Sequence, residues 1–187
     1  MTNDQVRAEF HRLFLEWMCN DLDSGIRGKA NYLVALGLFS YLEVLGGMVN
    51  GRGGLRERPG DNFEEAVKLL PQPYQDLNQK IVVHHPDQAD SGGLYGVFRC
   101  GLAHEYSPKG LAVVVNDPGR TEEPHEGIKA DRTPEGHPYV AVFNNALLRD
   151  FKAAAEAVCK RLEADEEPLM SNVRKVFGRV ANYTASW

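Results

Sequence analysis

The sequence predicts a mainly α-helical fold, an up-and-down bundle of four to five helices that carries a small two-stranded β-hairpin insertion. Apolar residues recur at spacings of three and four along most of the chain, the pattern of helices with one buried face. Only two short segments are rich in strand-forming residues. At 187 residues, with 43% hydrophobic and 25% charged residues, the composition is that of one globular domain spanning residues 1–187.

The first half of the chain predicts four helices. The first ends at Ser24 and Gly25, and the second is apolar almost all round, as expected of the central helix of a bundle. A capping box formed by Asn62 and Glu65 predicts the start of the third helix, and the pair of prolines after Leu70 separates it from the fourth. The predicted ranges are about 4–22, 29–50, 62–70 and 74–83.

The apolar run from Tyr32 to Val49 is almost long enough to span a bilayer. It contains Glu43 and three glycines, which favours a buried core helix and no membrane partner. The formal net charge is −5 and the isoelectric point is about 5.7, which excludes nucleic-acid binding through a broad basic surface. Any contact with phosphate is therefore expected to be local.

The second half of the chain begins with the two strand-like runs, Leu111–Val115 and Tyr139–Phe143. We expect them to pair antiparallel as an insertion over residues 111–143, joined by the polar connection 116–138. A connection of this length is uncommon in a compact domain and is expected to be functional or mobile. Two helices follow, one capped by Asn144 or Asn145 and one with Pro168 at its first position.

The cysteine pattern points to a reducing compartment. Cys19, Cys100 and Cys159 are far apart and odd in number, which argues against both a disulfide framework and a thiolate zinc site. The N-terminal residues lack the pattern of a secretory signal, so we expect a cytoplasmic protein. His84 and His85 have no further ligand at metal-binding spacing, and we expect neither a metal nor a cofactor.

The stretch LYGVFRCGLAHEY, residues 94–106, predicts a helix that Ser91 caps and that Ser107 and Pro108 end. On a helical wheel the large apolar residues face the core, and Arg99 and His104 bound the remaining arc of about 140°. Only small residues lie between them on this arc, forming a shallow shelf of Gly96, Cys100 and Ala103.

An arginine and a histidine flanking such a shelf fit cleavage of a phosphodiester without metal. Imidazole can take or give a proton near neutral pH, and a guanidinium can hold the non-bridging phosphate oxygens. In-line transesterification needs both a general base and a general acid. A single His104 with a single Arg99 supplies only one of these two groups. A second copy across a two-fold axis would complete the site.

The motif Arg-x-x-x-x-His in FRCGLAHEY, near the end of a helix in a helical chain, resembles the HEPN superfamily (higher eukaryotes and prokaryotes nucleotide-binding). The resemblance implies an HEPN-like bundle whose active members are metal-independent endoribonucleases with this site at a dimer interface. It makes Arg99 the phosphate-stabilising residue and His104 the general acid/base, in a homodimer formed through the helix Leu94–Tyr106 with RNA as partner. Many members have a polar residue after the arginine, where this chain has Cys100.

Other readings of the same residues stay open. Glu43 needs a partner if it is buried, because an unpaired buried carboxylate is costly, and Arg99 could pair with it. Alternatively, Glu43 points outward between helices or pairs with Arg27. Tyr95 and Tyr106 could stack on a base or pack in the core. A non-catalytic helical interaction module, as a homodimer or bound to a partner, is the rival function, and a binder of nucleotides or small phosphates is a third.

Overall fold

The computed structural model describes residues 1–53, 59–84, 93–110, 112–115 and 127–184. Most of these residues are helical, as predicted, but the described part of the chain has seven continuous helices and not four to five, and a small three-stranded sheet accompanies them. In chain order the elements are α1 (Asn3–His11), a first π-helical segment (Arg12–Met18), α2 (Cys19–Arg27), α3 (Asn31–Val49), α4 (Pro59–Val67), α5 (Gln72–His84), a second π-helical segment (Tyr95–Cys100), α6 (Gly101–Glu105), β1 (Ala112–Val115), β2 (Ile128–Arg132), β3 (Pro138–Phe143), α7 (Asn144–Glu163) and α8 (Leu169–Thr184).

The N-terminal helix is longer than its sequence predicts. Helix α1, the first π-helical segment and α2 follow one another without a break, from a capping box at Thr2 to Arg27. Gly25, predicted to end this helix, lies inside it. A Cβ atom on Gly25 would lie 2.6 Å from a methyl group of Val34, so the glycine lets α2 and α3 approach closely.

Helix α3 is the central helix, as predicted. It packs against α2, α4, α7, α8 and the second π-helical segment, and residues such as Leu38, Leu42 and Leu45 are fully buried. By length and composition alone α3 could cross a membrane, and half of its most apolar window is buried within the protein. The core helix of a soluble protein meets the same criterion.

Helices α3 and α4 cross in near backbone contact at Gly46. A Cβ atom there would lie 1.7 Å from the main-chain oxygen of Asn62. The capping role predicted for Asn62 is wrong, because α4 begins at Pro59 and Asn62 lies buried inside it. Its side-chain oxygen instead accepts a 3.0 Å hydrogen bond from Asn50 just after α3, which ties the two helices together.

The predicted two-stranded antiparallel hairpin is wrong in both strand number and direction. The strand order is β1-β3-β2, with β1 parallel to β3 and β2 antiparallel to β3. The hairpin is formed by β2 and β3 around residues 133–137, inside the connection predicted to be a polar loop. The β2 sequence IKADR is mostly polar and exposed, so it lacks the pattern of a half-buried strand. Leu111 and residues 116–126 lie outside the described residues, as does the predicted helix cap Ser91.

Buried amide groups connect the sheet to the helices. Asn144, predicted as one of two caps for α7, is instead the first residue of the helix and is fully buried. Its side-chain amide donates to the main-chain oxygen of Asn31 at 2.9 Å, and Asn31 donates to the main-chain oxygen of Val114 at 2.7 Å. These bonds join the start of α3, the strand β1 and the start of α7.

The contact at Gly46 gives a test of the fold. We expect Gly46→Ala to lower the free energy of unfolding by roughly 2–3 kcal/mol, since the added methyl group would force the two backbones apart. Gly178→Ala in α8 is the matched control. Apart from the backbone of α8 itself, no atom of a described residue lies within 4 Å of its added Cβ, and alanine there should stabilise the helix by about 0.5–1 kcal/mol. Urea denaturation measures both changes, and equal effects of the two variants would contradict this packing.

Candidate functional site

The stretch predicted as one α-helix is divided in the structure. Tyr95–Cys100 is π-helical and Gly101–Glu105 is α-helical. A π-helix closes i→i+5 hydrogen bonds, so its turn is wider than the α-helical turn assumed on the helical wheel. Of the predicted shelf, Gly96 is buried, Cys100 is half-buried and Ala103 is exposed. Single π-helical turns occur often at functional sites, and Arg99 lies within this one.

Asn78 in α5 holds the start of this helical segment. Its side-chain oxygen accepts a 2.8 Å hydrogen bond from the main-chain N–H of Leu94, and its amide nitrogen donates to the carboxylate of Glu64 at 2.9 Å. The first N–H groups of a helix have no partner within the helix, and Asn78 supplies one from a neighbouring helix. This role of Asn78 is not predictable from the sequence, since no spacing relates Asn78 to Leu94.

Arg99 is held by Glu43. Its Nε donates to the Glu43 carboxylate at 2.9 Å, and both side chains are partly buried. The hypothesis that Glu43 pairs with Arg99 is confirmed, whereas the alternative partner Arg27 contacts Ser24 instead. Among the described residues, none accepts a hydrogen bond from the two Nη atoms of Arg99.

The environment of Glu43 sets its proton affinity. Burial raises the pKa of this carboxyl group above its ordinary value, and the charge and hydrogen bond of Arg99 oppose the shift only in part. The pair therefore lies where ionisation of the carboxyl group is costly. The partly buried, low-polarity environment that causes this cost also strengthens the attraction of Arg99 for an anion. Glu43 competes with that anion for Arg99.

Aromatic packing fixes the direction of the Arg99 side chain. The ring of Phe98 stacks on Phe39 of α3, with centroids 4.9 Å apart and planes 3° apart. The buried ring of Tyr95 packs on Phe63 and lies 5.8 Å from the Arg99 guanidinium carbon. Burial raises the pKa of Tyr95 to about 12. Tyr95 thus supports Arg99 from the core side and has no open face for a nucleobase.

His104 and Tyr106 lie on the exposed side of the same segment. His104 has no hydrogen bond or ion pair with any described residue, while the neighbouring Glu105 pairs with Lys109 at 3.7 Å. Tyr106 ends α6 and is 61% exposed, with its ring 6.2 Å from that of Tyr32. The site therefore offers a fixed guanidinium and an accessible imidazole on one short helical segment.

This arrangement can bind an anion and move a proton. Arg99 can present two Nη groups to phosphate oxygens, the geometry that guanidinium groups use for such ligands. His104 is solvent-accessible, as a general acid or base must be to reach a substrate. Within the described ranges, no group of three His, Cys, Asp or Glu residues lies close enough together to hold a metal ion.

Comparisons with protein-family models, with curated proteins and with solved structures find no match to this chain. The resemblance to the HEPN superfamily therefore depends on the motif formed by Arg99 and His104 and on the helical character of the fold.

The raised pKa of Glu43 predicts a pH dependence of stability. A carboxyl group with a higher pKa in the folded state binds more protons there, so its contribution to stability falls as pH rises above the ordinary value of 4.5. Glu43→Gln keeps an acceptor for Arg99 and removes this titration. We expect the free energy of unfolding of the variant, relative to that of the wild type, to increase as pH rises from 4.5.

Urea denaturation at several pH values measures this difference. Glu156→Gln, at an exposed position of α7, is the control that should follow the wild-type pH profile. Parallel profiles for Glu43→Gln and the wild type would contradict the desolvation of Glu43.

Proposed function

We propose that this protein is an HEPN-like, metal-independent endoribonuclease that cleaves single-stranded RNA. One observation carries the proposal. Glu43 holds Arg99 through Nε alone, which leaves both Nη groups without a partner among the described residues, and an exposed His104 lies five positions further on. These are the two groups that transesterification at phosphorus uses without a metal ion.

The reaction follows from the chemistry of the two side chains. His104 accepts the proton of a ribose 2′-hydroxyl as its oxygen attacks the adjacent phosphorus. A bond forms between phosphorus and the 2′-oxygen, and the bond from phosphorus to the 5′-oxygen breaks. Arg99 stabilises the charge on the non-bridging oxygens. The 5′-oxygen leaves with a proton, and the other product ends in a 2′,3′-cyclic phosphate.

The proton for the leaving oxygen needs a second donor. We propose that it comes from His104 of a second copy, in a homodimer formed through the helical segment Leu94–Tyr106. Each protomer has only one exposed histidine in this segment, so one copy supplies the base and the other the acid. A single protomer would then be inactive.

The apolar face of α3 favours a second candidate function, a non-catalytic helical interaction module. Leu33 is 56% exposed and Val44 is 37% exposed, and Leu36 between them is half-buried. Helical spacing aligns these residues along one stripe of α3. An apolar stripe of this kind is typical of an interface, and it borders the segment that carries Arg99. It supports dimerisation under either candidate function.

Cleavage of RNA in the presence of EDTA tests the catalytic proposal. We expect the wild type to cleave an unstructured RNA and to produce cyclic phosphate ends. His104→Ala should lower the rate by at least about 100-fold, and Arg99→Ala by about 100- to 1,000-fold. Gel analysis of labelled RNA and mass spectrometry of the products measure both results.

Variants of the same residue types serve as matched controls. His137→Ala and Arg27→Ala change exposed residues outside the site and should cleave at the wild-type rate. Intact RNA with a folded, dimeric wild type would reject the ribonuclease and favour the interaction module. Equal losses in the site variants and the controls would reject the assigned roles of Arg99 and His104.

The apolar stripe predicts the effect of a charge on association. We expect the wild type to have about twice the monomer mass of 20.8 kDa in light scattering. Leu33→Glu should shift it to the monomer, because an unpaired carboxylate would be buried in the interface. Ala153→Glu on the exposed side of α7 is the control. A dimer that withstands Leu33→Glu would exclude this stripe from the interface.

A further inference from the structure

We infer that Tyr106 and Tyr32 form a stacking platform for an unpaired nucleobase of the RNA strand whose phosphate is bound at Arg99. This inference rests on the proposed function and adds the part of the substrate that is recognised. The two rings, both exposed, meet edge to face at 6.2 Å with an interplanar angle of 63°. An edge-to-face pair leaves ring faces open, and every nucleobase has a face that can stack on them.

The backbone at Tyr106 supports a role for its side chain. Its φ of 53° and ψ of 25° lie in the left-handed region, at the residue that ends α6. Helices commonly end in this conformation, and glycine is the usual residue because a side chain is disfavoured there. Lys29 and Asp165 also have a positive φ, so the conformation recurs in this chain, but Tyr106 places a bulky, exposed aromatic ring in it, which is uncommon. The ring itself is then the feature to be explained.

The position of the platform relative to Arg99 supports the same role. The Arg99 segment runs antiparallel to α3, because Arg99 contacts Glu43 near one end of α3 and Tyr106 contacts Tyr32 near the other. Glu43 and Tyr32 are eleven positions apart on α3, which corresponds to about 16 Å along the helix. His104 lies on the segment between the two contacts.

This distance suits a short stretch of one strand. Consecutive nucleotides are at least about 3.4 Å apart along a strand, so about 16 Å corresponds to at most about five nucleotides. The bases of a duplex are paired and stacked on each other and cannot reach an external ring. The platform would therefore select unpaired RNA within a few nucleotides of the cleaved bond.

The experiment measures binding separately from cleavage. The probe is a fluorescein-labelled RNA of twelve nucleotides with 2′-O-methyl groups throughout, which lacks the attacking hydroxyl. In anisotropy titrations at low salt we expect Tyr106→Gly and Tyr32→Ala to bind about tenfold more weakly than the wild type. Tyr106→Phe keeps the ring and should bind like the wild type. His137→Ala, which removes an exposed ring from the turn between β2 and β3, is the control and should also bind like the wild type.

Tyr106→Gly also separates recognition from stability. Glycine suits the left-handed backbone, so the variant should keep its melting temperature while it loses affinity. Because Tyr106 ends the segment proposed to form the dimer, light scattering checks that the variant is still a dimer. Wild-type affinity in Tyr106→Gly, or a loss of affinity that accompanies loss of the dimer, would overturn the platform and leave the ribonuclease untouched. A wild type that binds the probe through these tyrosines yet cleaves no RNA would reject the ribonuclease and retain the platform.

Discussion

Burial of α3 is the constraint on which the other elements depend. Its apolar residues face α2, α4, α7 and α8, and glycines at positions 25 and 46 let α2 and α4 approach it closely. Glu43 is the charged residue of this helix, and a desolvated carboxylate needs a cation. The partner is Arg99, so the packing of the core helix also determines the position of the candidate site.

The pairing of Glu43 with Arg99 has two opposite effects on anion binding at the site. It fixes a long side chain that would otherwise lose entropy on binding a ligand. It also places a carboxylate beside the groups that would hold a phosphate, and burial makes that carboxylate easier to protonate. Cys100, next to Arg99 in sequence, is half-buried and carries a free thiol. Orientation of Arg99 in this chain thus comes from α3.

Buried polar groups determine how the elements meet. Asn78 accepts from the N–H of Leu94, and Asn144 and Asn31 join α7, α3 and β1. Tyr74 in α5 donates to the buried carboxylate of Asp150 in α7 at 2.7 Å. A buried polar group without a partner costs more than one hydrogen bond returns, so each of these contacts restricts the arrangement of the helices.

The sequence by itself determined the helical class, the central helix and the segment with Arg99 and His104, because apolar periodicity is local and strong over these residues. The environment of Glu43 stayed open between pairing with Arg99, pairing with Arg27 and an outward-facing side chain, since a charge in an apolar helix does not identify its partner. Only the tertiary structure decided the parallel pairing of β1 with β3, the strand β2, the π-helical turn and the role of Asn78. Those features depend on contacts between residues distant in sequence, and no local spacing of residues indicates which of these groups meet.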